Sequence, residues 1–595
     1  MVEPIENVTD KKAIKQYLPP QPEDVEKTWA DISKARNELW YYPVTGFQEG
    51  IEELFKWKTR NQFMKSDINY ITGNYERKEL VFLFAIVLLN LLIKSFPAGL
   101  VELGNDEVYY WTYALFPDWS HFDHPPMVGI MIQLFSLNLK FSDEFFLRAG
   151  PLFLSSASII VLYFLVKKLY TIRAAFIAVL LFLSSFYFNL ISGFLVMPDS
   201  PQVFFVLLSL FFLIPAVTKK EPSSRDNVRM IMFGIFTGLA FLSKYHSLFL
   251  WLGAGPYILF HNRAWLKKPS LYLSMALTLA LMIPVIYWNA ENNFISFTFH
   301  GERVGLFEEI NPVSFLQFSG GEIFYQNPVV FVIYAITFSS IFRNIKDGIR
   351  QEKILLLYLF IPLVVIFTFI SLFRTTLPHW TGPAFICILI LSSEYLDHLY
   401  DQGKKKVKSI IGASLALFCV VLIAGTLQVR LGFIRMNSGS ESSGRLGKDD
   451  FSLDMYGWSQ LRGKLTDFLD RERISLNDHK NIVILSDGWF PAAHLDYYIA
   501  KPLGIRLLAI GDIERIHKYY WIDSYRGLKS SDRVFYITDS RNFGDPEKFR
   551  EHFSGISARD SIAIIRNNRT VKYTFIYELT GIKPGSFPAS VFHDL

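Results

Sequence analysis

The chain has 595 residues, of which 51% are hydrophobic and 55 are phenylalanine, and it carries a net charge of +5. A mean hydropathy of +0.24 is too apolar for a soluble protein of this size, and so small a net charge excludes nucleic acid as a bulk electrostatic partner. The two cysteines, Cys387 and Cys419, lie inside apolar runs with no metal-ligand spacing and read as packing residues.

In chain order, residues 1–78 are polar and of mixed charge, so no cleavable signal peptide is expected and the first apolar segment must serve for insertion. An amphipathic stretch near 49–60, with Trp57 between Lys56 and Lys58, predicts a helix on the cytoplasmic membrane surface. Apolar runs follow at 80–93, 145–166, 174–192, 201–217, 230–243, 246–260, 271–288, 327–342, 354–373, 380–397 and 408–428. A crossing needs about 20 residues, so several of these are short. The runs 230–243 and 246–260 read as two short spans or one long broken one. With the N-terminus in the cytoplasm, the basic connections around Lys167, Lys219, Arg263, Arg343 and Lys404 all fall on the inner side, provided that all eleven runs cross. The apolar stretch 127–139 must then lie in the interface rather than cross. Connections 98–144, 193–200, 243–246, 289–326 and 373–379 face outward, as does everything after about 430.

The expected architecture is a multi-pass α-helical membrane protein of about eleven transmembrane helices with a C-terminal extracytoplasmic α/β domain. Its parts are a cytoplasmic segment 1–78, a transmembrane domain 79–430 with a first outward loop 98–144, and a soluble domain 431–595. In the last, strands are predicted at 481–486, 506–510, 533–538, 561–565 and 573–578, with helices near 456–472, 491–501 and 546–554. No nucleotide-binding glycine fingerprint and no fixed-period repeat occur.

The unusual polar residues gather in the outward connections. The first loop holds the adjacent acids Asp106 and Glu107, the aromatics Tyr109, Tyr110 and Trp111, and then Asp123-His124-Pro125-Pro126. Moving a sugar onto a hydroxyl or amine needs a base for the acceptor's proton, and a partly desolvated carboxylate beside a second acid is suited to that. Asp199 is bracketed by Pro198 and Pro201, which puts it at the first turn of a helix where the dipole favours an acid. Lys244 lies between apolar runs, where a lysine is costly unless it is paired or binds an anion such as phosphate. Arg303, Arg374 and His379 are further outward cationic or polar groups. Five outward histidines (His121, His124, His246, His300 and His379) keep a divalent metal as a minority option, although none has zinc-protease spacing; the expectation is no cofactor.

In order along the chain, Asp106-Glu107-Val108-Tyr109-Tyr110-Trp111, Phe122-Asp123-His124-Pro125-Pro126, Pro198-Asp199-Ser200-Pro201, Leu242-Ser243-Lys244-Tyr245, Trp288-Asn289 with Ser296-Phe297 and Arg303, Pro378-His379-Trp380, and Asp454-Met455-Tyr456-Gly457-Trp458 resemble the pattern of the bacterial protein O-mannosyltransferase-like (PMT-like, ArnT-like) glycosyltransferases. This is the GT-C fold, glycosyltransferase family 39/83 group that includes the lipid A aminoarabinose transferases. The resemblance covers roughly residues 80–460. It implies a polyprenyl-phosphate-sugar donor and inversion by direct displacement. It implies Asp106 as base, Glu107 assisting or positioning it, and Asp199 as a second acid near the acceptor. Lys244, Arg303 and His124 would contact the donor phosphate, His124 standing where some relatives carry Lys. The substrate pocket is expected to include Tyr109, Tyr110, Asp123, Tyr245, His246 and His379.

The function expected is thus a polyprenyl-phosphate-sugar-dependent glycosyltransferase of the cell (inner) membrane, acting on a glycan, lipid or protein acceptor, with the lipid bilayer as its solvent and no nucleic acid partner. The alternative is a flippase or transporter of a lipid-linked sugar, for which charges at mid-membrane depth and paired repeats are the usual signs.

Overall fold

The computed structural model describes residues 5–6, 12–14, 31–39, 44–303, 309–343, 349–404, 406–436, 445–474, 480–587 and 591–592, with side chains such as those of residues 57–76 and Arg303 outside the description. The stretch 49–60 forms part of one helix, Phe47–Ala98.

Among the described residues, six helices are long and apolar enough to cross a membrane: Arg77–Ala98, Glu144–Leu169, Asp199–Val217, Pro269–Glu291, Gln351–Ser371 and Lys406–Leu431. A seventh candidate is the pair Pro312–Tyr325 and Pro328–Arg343, bent by 100°. The other apolar runs also lie on helices, Ile172–Ser184, Ser224–Ser243, Phe249–His261 and Phe385–Asp401, which are shorter or more polar. The protein is therefore a multi-pass membrane protein. Helix ends follow local chemistry. The Glu144–Leu169 helix starts where Asp143 accepts the Phe146 N–H at 3.0 Å and ends on Lys167 and Lys168, an acid at the positive end and bases at the negative one. The segment 289–326 is not a plain loop, since it contains the Ile295–Arg303 and Pro312–Tyr325 helices. The bend after it falls at Asn327, φ +67°, before Pro328. A residue preceding proline avoids the α region, and Asn tolerates the left-handed one. The Asn327 amide donates to the carbonyls of Ser184 and Ser414, both at 2.9 Å.

Segment 98–144 folds into two short helices, Asn105–Leu115 and Met127–Phe135. The second has nine residues, too few for a crossing. It packs so closely on the first that a Cβ at Gly129 would lie 2.9 Å from that of Tyr113.

The predicted strands form one sheet of order β2-β1-β3-β5-β4. They are β1 (Ile482–Ser486), β2 (Arg506–Ala509), β3 (Arg533–Asp539), β4 (Phe553–Arg566) and β5 (Arg569–Ile582). The first three are mutually parallel and buried; β4 and β5 form an antiparallel hairpin. Its two-residue turn, Asn567-Asn568, has φ of +50° and +59°, the mirror-image turn that matches strand twist. β4 and β5 run well beyond the expected segments, and the expected helix at 546–554 is a 3-10 turn, Pro546–Glu551, that gives way to β4. One hydrophobic core joins Val108, Tyr109 and Trp111 of the first loop to Trp458, Leu465, Ile484, Tyr498 and Ile576 of the tail.

Candidate active site

The Asn105–Leu115 helix organises the site. Residues on a helix are 100° apart, so adjacent side chains diverge and those four apart align. Asp106 shares a face with Tyr110, Glu107 with Trp111, and Tyr109 with Tyr113. The two adjacent acids consequently meet different surroundings.

Glu107 points inward and is 2% exposed. Arg148 clamps it, Nε donating to one oxygen at 2.8 Å and a terminal nitrogen to the other at 2.6 Å. The backbone N–H groups of Gly104 and Val196 donate to it at 2.9 and 3.1 Å. Arg148 also donates to the carbonyls of Ala98, Val101 and Glu102. The pair ties together the helix start, the Glu144–Leu169 helix and the turn before Asp199.

Asp106 is the opposite case. Its side chain reaches solvent, and no hydrogen bond to another described residue holds it. It keeps access to water at one side only: crowding by the neighbouring elements strips part of its hydration, and this, followed by the nearby charges of Asp123 and Glu107, raises its pKa to about 6, against the pull of Lys244. A carboxyl so placed is ionised near neutrality yet retains basicity.

Asp123 is bound by the Tyr109 hydroxyl at 3.0 Å and by the Tyr113 hydroxyl, and its carbonyl accepts from the His300 ring, 2.6 Å away. His124 packs beside Tyr110 and His300, with centroids at 5.7 and 6.1 Å. Burial lowers its pKa to about 3, so its imidazole is neutral, and among the described residues its Nδ1 has no hydrogen-bond partner. Tyr245 lies 5.5 Å from His300, with its hydroxyl 3.4 Å from that of Ser120.

Asp199 is fully buried at the first turn of its helix. It makes no cap: its carboxylate accepts from Lys244 Nζ at 2.8 Å and from the Tyr187 hydroxyl at 2.9 Å. The alternatives left open for Lys244, a pair or an anion, thus resolve to a pair in this structure. Tyr187 begins a π-helical turn, Tyr187–Ile191, a distortion that frequently marks functional sites. His246 and His379 lie in the surroundings of Asp199. His246 stands at one end of an apolar groove of about 640 Å³ lined by Trp251, Met275, Leu279, Leu363 and Phe367. Arg303 ends the Ile295–Arg303 helix, but its side chain lies outside the described residues.

Sequence reasoning did not single out Arg148, Tyr113, Tyr187 or Lys518. Arg148 carried the same signal as Lys244, a cation within an apolar run, and Tyr113 repeats Tyr109 at helical spacing. Lys518 had no local signal. It arrives from the tail, donating to the Phe116 carbonyl at 2.6 Å and contacting His121 Nδ1. Burial brings its pKa down to about 7. Among the described residues, no three His, Cys, Asp or Glu side chains converge as metal ligands. His121 is engaged by Lys518 and His300 by the Asp123 backbone.

A bundle of apolar helices with one open carboxylate, a locked acid and a buried Lys–Asp pair beside a lipid-sized groove defines a membrane enzyme acting at the bilayer boundary. The family model for dolichyl-phosphate-mannose-protein mannosyltransferase matches residues 123–288. The lipid A galacturonosyltransferase RgtD of Rhizobium johnstonii is 21% identical over 58% of this chain and 71% of its own. The undecaprenyl phosphate-alpha-4-amino-4-deoxy-L-arabinose arabinosyl transferase of Wigglesworthia glossinidia brevipalpis is 23% identical over 59% of this chain and 66% of its own. The crystal structure of ArnT from Cupriavidus metallidurans bound to undecaprenyl phosphate superposes with a TM-score of 0.54 at 14% identity, covering 87% of this chain and 99% of that one. The chain is thus similar to membrane glycosyltransferases of the PMT-like, ArnT-like kind, and it shares their GT-C fold.

Proposed function

We propose that the enzyme takes a sugar from a polyprenyl-phosphate carrier and places it on an acceptor at the outer face of the cell membrane, by a single inverting displacement with Asp106 as base. In this topology eleven helices cross, the N-terminus is cytoplasmic and the α/β segment is extracytoplasmic. The acceptor's hydroxyl or amine gives its proton to Asp106 as its oxygen or nitrogen bonds to the anomeric carbon. The bond from that carbon to the phosphate oxygen breaks, and polyprenyl phosphate leaves. The undecaprenyl phosphate in the name of the Wigglesworthia relative supports this donor class. The groove beside His246 suits an isoprenoid tail. Lys244, shared between Asp199 and the departing phosphate, meets the charge that grows on it. His124 contributes a neutral imidazole rather than a second cation. Arg303 is assigned to the phosphate on resemblance alone. Tyr109, Tyr110, Asp123, Tyr245 and His379 line the sugar's side. No step is routed through a metal; the same rate is expected before and after EDTA treatment.

The observation that carries this reading is the contrast between the two acids: Glu107 is saturated by Arg148 and two backbone amides, whereas Asp106 is open and has a pKa near 6. The test is transfer from undecaprenyl-phosphate-linked sugar in proteoliposomes. Asp106→Asn should lower the rate by about 10²–10⁴-fold, the usual worth of a positioned base, with insertion and folding intact. Full activity in that variant would sink the assignment.

A further inference from the structure

The α/β segment carries a second cavity, remote in sequence from the acids and unused by the chemistry above. It has a volume of about 540 Å³, within the range of small-molecule sites, and lies outside the carboxyl ends of β1, β2 and β3. The loops following those strands, at Asp487, Asp512 and Asn542, all reach it. The central strand β1 has β2 on one side and β3 on the other. That makes it the point where successive connections run in opposite directions, and open α/β sheets bind ligands at such a place.

The lining has a definite chemistry. Trp489 and Phe543 offer ring surface, and Phe543 remains 50% exposed. Asp512, Glu514 and Asn542 offer acceptors and Arg515 offers donors. Asp487 orients the rim: it accepts from Arg515 at 2.5 Å and from Lys548. The floor leaves no room for a side chain, because a Cβ at Gly544 would lie 2.1 Å from the Tyr536 hydroxyl. Three carboxylates against two cations, Arg515 and Lys548, leave the rim net negative and disfavour a phosphate or another polyanion. Mixed hydrogen-bonding groups around exposed rings suit a saccharide, whose hydroxyls both donate and accept and whose pyranose faces present C–H groups to an aromatic ring.

Trp489 joins this crevice to the reaction centre. Its ring is 4.9 Å from Tyr109, the residue that holds Asp123, and it stacks on His517 at 5.4 Å. One indole is thus wall to both. The geometry points to a saccharide-binding subsite that holds the glycan part of the acceptor, with Trp489 as the edge over which it reaches Asp106. This rests on the transferase reading above and specifies its acceptor class: a molecule bearing sugar residues with free hydroxyls, of low phosphate content where it meets the crevice.

The test uses full-length protein in nanodiscs on a printed array of hexose, aminosugar and hexuronate oligosaccharides, with undecaprenyl phosphate binding measured in parallel. Wild type should retain at least one saccharide class. Phe543→Ala and Arg515→Ala should each weaken retention about tenfold, the worth of one charged hydrogen bond or ring contact, with undecaprenyl phosphate binding unchanged. Thermal melts identify a variant that has lost its fold, and Asp512→Asn then replaces it. No retention by wild type, or equal retention by the crevice variants, overturns the subsite. Loss of undecaprenyl phosphate binding in wild type would instead overturn the donor assignment and leave the subsite standing.

Discussion

Two neighbouring carboxylates have separate tasks because a helix turns 100° between them. Glu107 is structural in its contacts: replacing it with alanine strands the Arg148 guanidinium in a site with no exposure. Losing one partner of a buried pair costs about 3–5 kcal/mol, so Glu107→Ala should lower the thermal midpoint of the purified protein sharply. Asp106→Asn should do the reverse. The raised pKa of Asp106 means the folded state holds its proton more tightly than the unfolded chain does, so this group costs stability as pH rises from about 4 to about 6 and beyond. The asparagine variant should melt above wild type at pH 8 and level with it near pH 4. The same pKa sets the activity profile: the base is protonated below about 6, so transfer should rise as pH passes upward through that value and then level off. A rate independent of pH between 5 and 7 would contradict Asp106 as base. At Gly382 a Cβ would fall 2.1 Å from the ring of Tyr187, so Gly382→Ala should displace that tyrosine from Asp199 and raise KM for the donor more than it lowers the melting point.

At the level of elements, the first loop and the tail cap one another. The Trp458–Arg471 helix opens after Gly457, φ +93°, and the N–H groups of Trp458 and Ser459 donate to the Glu102 carboxylate at 2.9 and 2.8 Å. This gives a physical basis for the motif Asp454–Trp458: the glycine turns the chain and the helix start meets an acid 356 positions earlier. His494 Nε2 lies 2.9 Å from Asn105 Oδ1, and the Leu103 N–H donates to Tyr498 at 2.6 Å. Glu102→Ala removes a cap worth about 0.5–2 kcal/mol. It should also slow transfer, because this contact fixes the chain four positions before Asp106 to the tail; an unchanged rate with a lowered midpoint would confine its role to stability.

For the whole molecule, a shared hydrophobic core from Val108 to Ile576 means that the tail is not a detachable module. Truncation after residue 430 should therefore abolish transfer by unfolding the 98–144 segment, seen as protease cleavage between 98 and 144 in the truncated protein but not in the intact one. Much of this architecture was legible in the sequence. The apolar runs all proved helical, because burying backbone polar groups in lipid leaves few alternatives, and the five strands declared themselves through short β-branched runs. The bend at Asn327 and the helices within 289–326 were not legible, since short helices held by neighbours carry little periodicity of their own. The sequence by itself determined the membrane class, the order of the motifs and the identity of the acids, since residue type and hydropathy are local properties. Only the tertiary structure decided which acid stays open, that Lys244 is held by Asp199, and that Lys518 and Trp489 come from the tail to the site. Those outcomes depend on which distant groups fill the space around each charge, and burial and pairing are set by the packing of the whole chain.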